Sequence, residues 1–119
     1  MDVIHRYVET VNARDGESNR ATMVCPHVRL ANDDVLYMPE RDDLKMISGF
    51  DRLAASGWSR TELDWAEVIQ GDDRKAHVAL QYSRYDADGN HLVTFESLYV
   101  VVRRGDTWKI QARSSFAPH

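Results

Sequence analysis

The sequence predicts an α+β domain in which short helices come first and a curved, mostly antiparallel sheet follows. Three observations carry this expectation. Apolar residues recur at helical spacing in the first half of the chain. The second half is made of long runs rich in β-branched and aromatic residues. Turn signals such as Asp72-Asp73, Asp88-Gly89 and Gly105-Asp106 divide those runs at hairpin intervals. A chain of 119 residues is the size of one domain with a real core, so residues 1–119 are read as a single domain.

The first helix is expected over residues 2–14, where Ile4, Tyr7, Val8 and Val11 form one apolar stripe and Asp15-Gly16 ends the pattern. A second short helix is expected from Glu17 to Val24, with Ala21 and Val24 inward and Pro26 stopping it. His27–Leu30 and Val35–Met38 flank Ala31-Asn32-Asp33-Asp34, a hairpin with an Asn/Asp turn. Pro39-Glu40 opens a third helix with Leu44, Ile47, Phe50, Leu53 and Ala54 as its buried stripe, and Gly57 stands at its C-cap. Long strands follow. Trp58 to Gln70 is the first, and its alternation slips near Trp65-Ala66, the signature of a bending β-bulge. Lys75 to Tyr85, Leu92 to Val102 and Thr107 to Phe116 complete a four-strand meander.

Hairpin chemistry sets an expected register. Asp86-Ala87-Asp88-Gly89 suits a three-residue loop with glycine in the left-handed region, which puts Leu80 opposite Glu96, Val78 opposite Leu98 and Tyr82 opposite Thr94. A second three-residue loop then sets Trp108 against Val102, Ile110 against Val100, Ala112 against Leu98 and Ser114 against Glu96. The more apolar face, carrying Val78, Leu80, Tyr82, Thr94, Glu96, Leu98, Val100, Trp108, Ile110, Ala112, Ser114 and Phe116, should be covered by the helices. The other face carries His77, Gln81, Ser83, Tyr85, Val93, Phe95, Ser97, Tyr99, Val101, Gln111 and Arg113, a mixture of polar and aromatic residues typical of interfaces. A homodimer through Val93, Phe95, Tyr99 and Val101 is therefore expected, the alternative being a solvated face.

Composition excludes several classes of function. A net charge of −4 and a pI near 5.7 argue against a nucleic-acid partner. No run of about 18 apolar residues is present, so no membrane span is expected. Met1-Asp2-Val3-Ile4-His5-Arg6 lacks a basic segment leading into an apolar one, and no signal peptide is expected. Cys25 is the single cysteine, which fits a cytoplasmic, reducing location. The histidines His5, His27, His77, His91 and His119 have no metal-ligand spacing, and the glycines form no phosphate loop, so neither metal nor cofactor is expected.

Two stretches carry a family resemblance. Tyr99-Val100-Val101-Val102-Arg103-Arg104-Gly105-Asp106-Thr107-Trp108-Lys109-Ile110 is similar to the penultimate strand, glycine turn and Trp-x-Ile final strand of the nuclear transport factor 2-like superfamily, SnoaL-like branch. Tyr7-Val8-Glu9-Thr10-Val11-Asn12-Ala13-Arg14-Asp15 resembles that family's first helix. The resemblance implies a cone: a bent sheet wrapped round the N-terminal helix, with a ligand cavity at its open end. Such cones host isomerases, cyclases, dehydratases and non-catalytic binders, so the fold alone names no activity. Many SnoaL-like final strands carry an inward histidine after the Trp-x-Ile. Here Ala112 and Ser114 are the expected inward residues, and no histidine follows until His119.

The candidate ligand-binding residues are Tyr7, Tyr82, Arg84, Thr94, Glu96 and Ser114, around a small, mainly apolar organic molecule. Glu96 is the candidate catalytic residue. On an apolar face its carboxyl would be tuned toward neutral pH by desolvation, as a general acid or base requires. The structural alternative pairs Glu96 with Arg84. Tyr7 and Tyr82 either present hydroxyls to the cavity or serve as core residues with one wet end. Cys25-Pro26-His27 offers a thiol near a base, against the plainer reading of a buried, inert cysteine. Three functions follow: a ligand-binding cone, an enzyme of isomerase, cyclase or dehydratase type using Glu96, or a non-catalytic dimerisation module.

Overall fold

The computed structural model describes residues 1–47 and 50–117. Helix α1 (Asp2–Asn12) buries Val3, Ile4 and Thr10 and packs against the sheet. Its C-terminal end is clamped by Asn12, whose Nδ2 donates to Thr61 O at 2.8 Å while Oδ1 accepts from Thr61 N–H at 2.7 Å. Helix α2 (Gly16–Arg20) is capped by Asp15, which accepts from Ser18 N–H. It stops earlier than expected because Met23 already belongs to a strand. Ile110 N–H donates to Thr22 O at 2.8 Å, drawing the chain into the sheet, and Pro26 lies within β1.

The strands are β1 (Met23–Ala31), β2 (Asp34–Met38), β3 (Arg60–Gly71), β4 (Lys75–Tyr85), β5 (His91–Arg104) and β6 (Thr107–Ser115). They form one sheet in the order β2-β1-β6-β5-β4-β3, antiparallel throughout except for the parallel β1–β6 pair. The expected hairpin and meander are both present. The expected third helix is instead a 3₁₀ helix (Arg41–Ile47) and a short α3 (Phe50–Ala55). Leu44 is buried in the first of these, whereas the Ile47 side chain lies outside the described residues. Gly57 closes α3 with φ +93°, the left-handed conformation that favours glycine.

Three of the sheet's register shifts decide which side chains of β3, β5 and β6 enter the core. The first of two β3 bulges falls at Asp64, between the pairs Leu63–Tyr82 and Trp65–Gln81, next to the expected position; the second, at Ile69, lies near the strand's exposed end. The bulge at Asp64 turns Leu63 inward and leaves Trp65 outward and 43% exposed. On β5 the turn register is the expected one at its start, with Tyr85 paired to His91 and Gly89 at φ +84°. The next pair is Arg84–Val93, so Leu92 is an extra residue. Every residue beyond it changes face. Tyr82 thus meets Phe95, Leu80 meets Ser97 and Val78 meets Tyr99. Val93, Phe95, Tyr99 and Val101, expected on an outer dimer face, lie on the inner face, with Val101 fully buried. Thr94, Glu96, Leu98 and Val100 move to the outer face.

The β5–β6 loop is Gly105-Asp106, one residue shorter than expected, with Arg104 paired to Thr107. This change and the β5 shift compensate, so Trp108 and Ile110 remain inward as expected. A bulge at Gln111 separates the pairs Val101–Ile110 and Val100–Ala112 and inverts the rest of β6. Arg113 and Ser115 therefore enter the inner face, while Ala112, Ser114 and Phe116 leave it; Phe116 is 72% exposed. The core against α1 comprises Met23, Met38, Val78, Leu80, Tyr82, Tyr99, Val101 and Ile110. No helix among the described residues is long and apolar enough to cross a membrane.

Candidate functional site

The inverted end of β6 sets a buried polar cluster into this apolar core. Arg113 stands at its centre, 5% exposed. Its Nη1 donates to the Tyr7 hydroxyl on α1 at 2.7 Å, and its Nε donates to His27 Nε2 on β1 at 3.2 Å. His27 Nδ1 lies 3.1 Å from Ile110 O. A guanidinium only donates, so Nε2 must accept and Nδ1–H must donate; His27 is the neutral Nδ1–H tautomer. Burial first, and then the charge of Arg113, pushes the His27 pKa down to about 3.

Tyrosines surround the guanidinium. Tyr7 and Tyr99 meet edge to face with centroids 5.7 Å apart, and the Tyr82 hydroxyl lies 3.1 Å from Ser115 Oγ. Burial raises the Tyr7 pKa, but the Arg113 and Arg29 charges and hydrogen bonding with Tyr99 and Arg113 outweigh it and leave Tyr7 below its ordinary value. Burial, reinforced by Tyr7, holds Tyr99 well above its own. Tyr7 is therefore the more acidic member of the pair. Burial opposes the charge on Arg113, yet the tyrosines, led by Tyr7, raise its pKa. Arg29, register partner of Arg113 across β1–β6, has its pKa lowered by burial and by Arg113.

Of the residues singled out in the sequence, Tyr7 and Tyr82 join this cluster. Arg84 lies on the same face near its edge, its guanidinium 5.6 Å from the Tyr82 ring centroid and 5.3 Å from that of Phe95. Glu96 is exposed on the outer face opposite Gln81, on the side of the sheet away from Arg84 and the core, because the Leu92 bulge inverts its strand. Thr94 follows it outward, where its hydroxyl contacts Ser83 Oγ at 2.7 Å. Ser114 pairs with Leu98 on that face, and Ser115 takes the inward position instead. The Cys25 thiol is partly buried, and burial raises its pKa, which disfavours a thiolate.

The cluster residues that the sequence reading missed are His27, Arg29, Ser97, Tyr99, Arg113 and Ser115. His27 and Arg29 are two apart on one strand of the expected hairpin, so their common face was legible. Arg113 had no such signal, since its direction depends on the bulge at Gln111. A separate groove of about 660 Å³ lies near the β5–β6 turn, lined by Val3, Arg6, Thr22, Asp106, Trp108 and Lys109. It is an open surface feature away from the buried cluster.

A family model described as NTF2-like protein (DUF6841) matches residues 1–117. The chain belongs to this NTF2-like family. Among curated proteins nothing matches the chain. Solved NTF2-like and cystatin-like structures share its shape. A protein of unknown function with a cystatin-like fold from Nostoc punctiforme superposes with TM-score 0.79 at 16% identity, covering 97% of this chain and 85% of that one. An NTF2-like protein with a cystatin-like fold from Novosphingobium aromaticivorans gives TM-score 0.78 at 15% identity, covering 96% and 76%. The protein Aln2 from a Streptomyces species gives TM-score 0.76 at 17% identity, covering 98% and 86%. These likenesses establish the cone fold of this NTF2-like chain and carry no activity with them. The SnoaL-like resemblance is compatible with them.

Proposed function

We propose that this NTF2-like chain is a small-molecule-binding protein whose cone holds a mainly apolar organic ligand. The observation that supports this most is the Tyr7–Arg113–His27 cluster, with Tyr82, Tyr99 and Ser115 beside it, set inside an otherwise apolar core. Ligand sites combine apolar walls with a few convergent polar groups in this way. A cone filled only for stability has no need of a buried guanidinium, which is costly to desolvate. Native mass spectrometry of protein purified from its source tests the proposal: a co-purified small molecule supports it, and a ligand-free protein that also binds nothing in a thermal-shift screen refutes it. The catalytic alternative no longer involves Glu96. It rests on Tyr7, whose lowered pKa suits a hydrogen-bond donor to a substrate carbonyl.

Homodimerisation stays with the proposal but uses different residues. Leu30, Val35, Tyr37, Trp65 and Leu98 are exposed on the outer face, an apolar surface of the kind that association buries. Sedimentation showing only monomer at micromolar concentration refutes this part. A cytoplasmic location is the accompanying expectation, since the single cysteine needs no oxidising compartment.

A further inference from the structure

We infer that the ligand carries an anionic head, a carboxylate, which the cone seats against Arg113 and Arg29. This inference rests on the reading of the cone as a ligand site and adds the chemical class of the ligand.

Hydrogen bonding supplies the first argument. Two buried polar atoms among the described residues have no partner, Arg113 Nη2 and Ser97 Oγ. Both belong to the inner face of adjacent strands: Tyr99 pairs with Arg113 and Ser97 with Ser115. Arg113 has committed Nε to His27 and Nη1 to Tyr7, so Nη2 is a donor held in place with nothing to donate to. Buried polar groups are almost always satisfied, and an orphan donor on a guanidinium that is otherwise held rigidly identifies a place for an acceptor.

Charge supplies the second. Arg29 and Arg113 are register partners on neighbouring strands, and each lies in the other's field. Arg29 is half-buried, and among the described residues its side chain makes no hydrogen bond or ion pair. The ion pairs among the described residues are Lys45–Asp42 and Arg60–Glu62, both at the surface and remote in sequence from the cluster. The groups that lead the electrostatics of both arginines are Tyr7, Tyr82, Tyr99 and the arginines themselves, with no carboxylate among them. Two guanidinium groups facing one apolar interior, without an internal anion, repel each other and lack compensation. A bound anion removes both costs at once.

Shape favours a carboxylate over a larger oxyanion. The available donors are one unpartnered guanidinium nitrogen, Arg113 Nη2, a second guanidinium and the Ser97 hydroxyl, which together can serve a planar head with two oxygens. The walls are Phe95, Tyr99, Tyr82 and Leu80, aromatic and aliphatic surfaces suited to a hydrocarbon or aryl body. The ligand is therefore an amphipathic organic acid with its body on the aromatic wall and its carboxylate toward β1 and β6.

Matched acids and amides test this. Naphthalene-2-carboxylate and decanoate are titrated against naphthalene-2-carboxamide and decanamide by calorimetry, on the wild-type protein and on Arg29→Met and Arg113→Met. The expected result is at least about tenfold tighter binding of each acid than its amide, a preference lost in both variants. Arg29→Met keeps the test decisive if Arg113→Met fails to fold, because the Arg29 side chain holds no hydrogen bond among the described residues. Equal binding of acid and amide overturns the anionic head and leaves the ligand-binding cone standing. An acid preference that survives Arg29→Met also overturns it. Failure of all four compounds to bind at millimolar concentration overturns the binding reading together with the inference.

Discussion

Acidification is a direct probe of the buried cluster, because burial holds His27 neutral in the folded chain. In the unfolded chain its imidazole takes a proton near the ordinary value of 6.5, whereas in the folded chain it does so only at about 3. Between these values the unfolded state binds more protons, so stability falls as the pH falls. The loss is about 1.4 kcal/mol per pH unit once the pH is below 6.5, so lowering the pH to about 5 removes roughly 2 kcal/mol. The carboxylates with lowered pKa values, Asp15, Asp72 and Asp86, act in a different window. Their contribution is complete above 3.8 and is lost only as the pH falls below it, so it adds no slope here. The assay is urea unfolding at several pH values between about 5 and 7, on the wild type and on His27→Gln. Glutamine offers one acceptor for Arg113 Nε and one donor for Ile110 O, as the neutral imidazole does, but cannot be protonated. The wild type should lose stability on acidification, and His27→Gln should lose roughly 2 kcal/mol less across the interval. Parallel curves for the two proteins would refute the assignment of a neutral, buried His27.

Other perturbations separate the inner face from the outer. Arg113→Ala strands the Tyr7 hydroxyl and His27 Nε2, each a buried group that loses its partner, and should cost roughly 2–4 kcal/mol in chemical denaturation. Glu96→Gln should change stability by less than about 0.5 kcal/mol and leave ligand binding unaltered; a larger effect on either would return Glu96 to the site. Asn12→Ala breaks both bonds of the α1 clamp on Thr61 and should destabilise by about 1–3 kcal/mol, read from the thermal midpoint. Leu98→Lys, on the outer face, should abolish a dimer in sedimentation while the monomer's circular dichroism is retained.

The amphipathic stripe of α1, the Asn/Asp hairpin turn, the Gly57 cap and the limits of β4 were all legible because each depends on residues within a few positions of one another. The turn at Asp86–Gly89 was legible for the same reason, and Tyr85 does pair with His91 as its chemistry requires. The first β-bulge of β3 could be seen because it disturbs an alternation of large apolar residues. The bulges at Leu92 and Gln111 leave no such mark, since β5 carries apolar residues on both faces: Phe95, Tyr99 and Val101 on one, Leu98 and Val100 on the other. Either face could be the buried one by composition alone.

Local chemistry in the sequence therefore determined the first helix, the strands of the meander, the order of the elements along the chain and the family to which it belongs, while the second and third helices came out shorter or in other form than expected. Only tertiary packing decided the faces. One extra residue costs little in a strand, but side chains alternate with a period of two, so each bulge exchanges inside for outside along everything that follows. That exchange carried Glu96 to the surface and brought Arg113 into the core. It made the interior of this cone cationic where the sequence had suggested an acid.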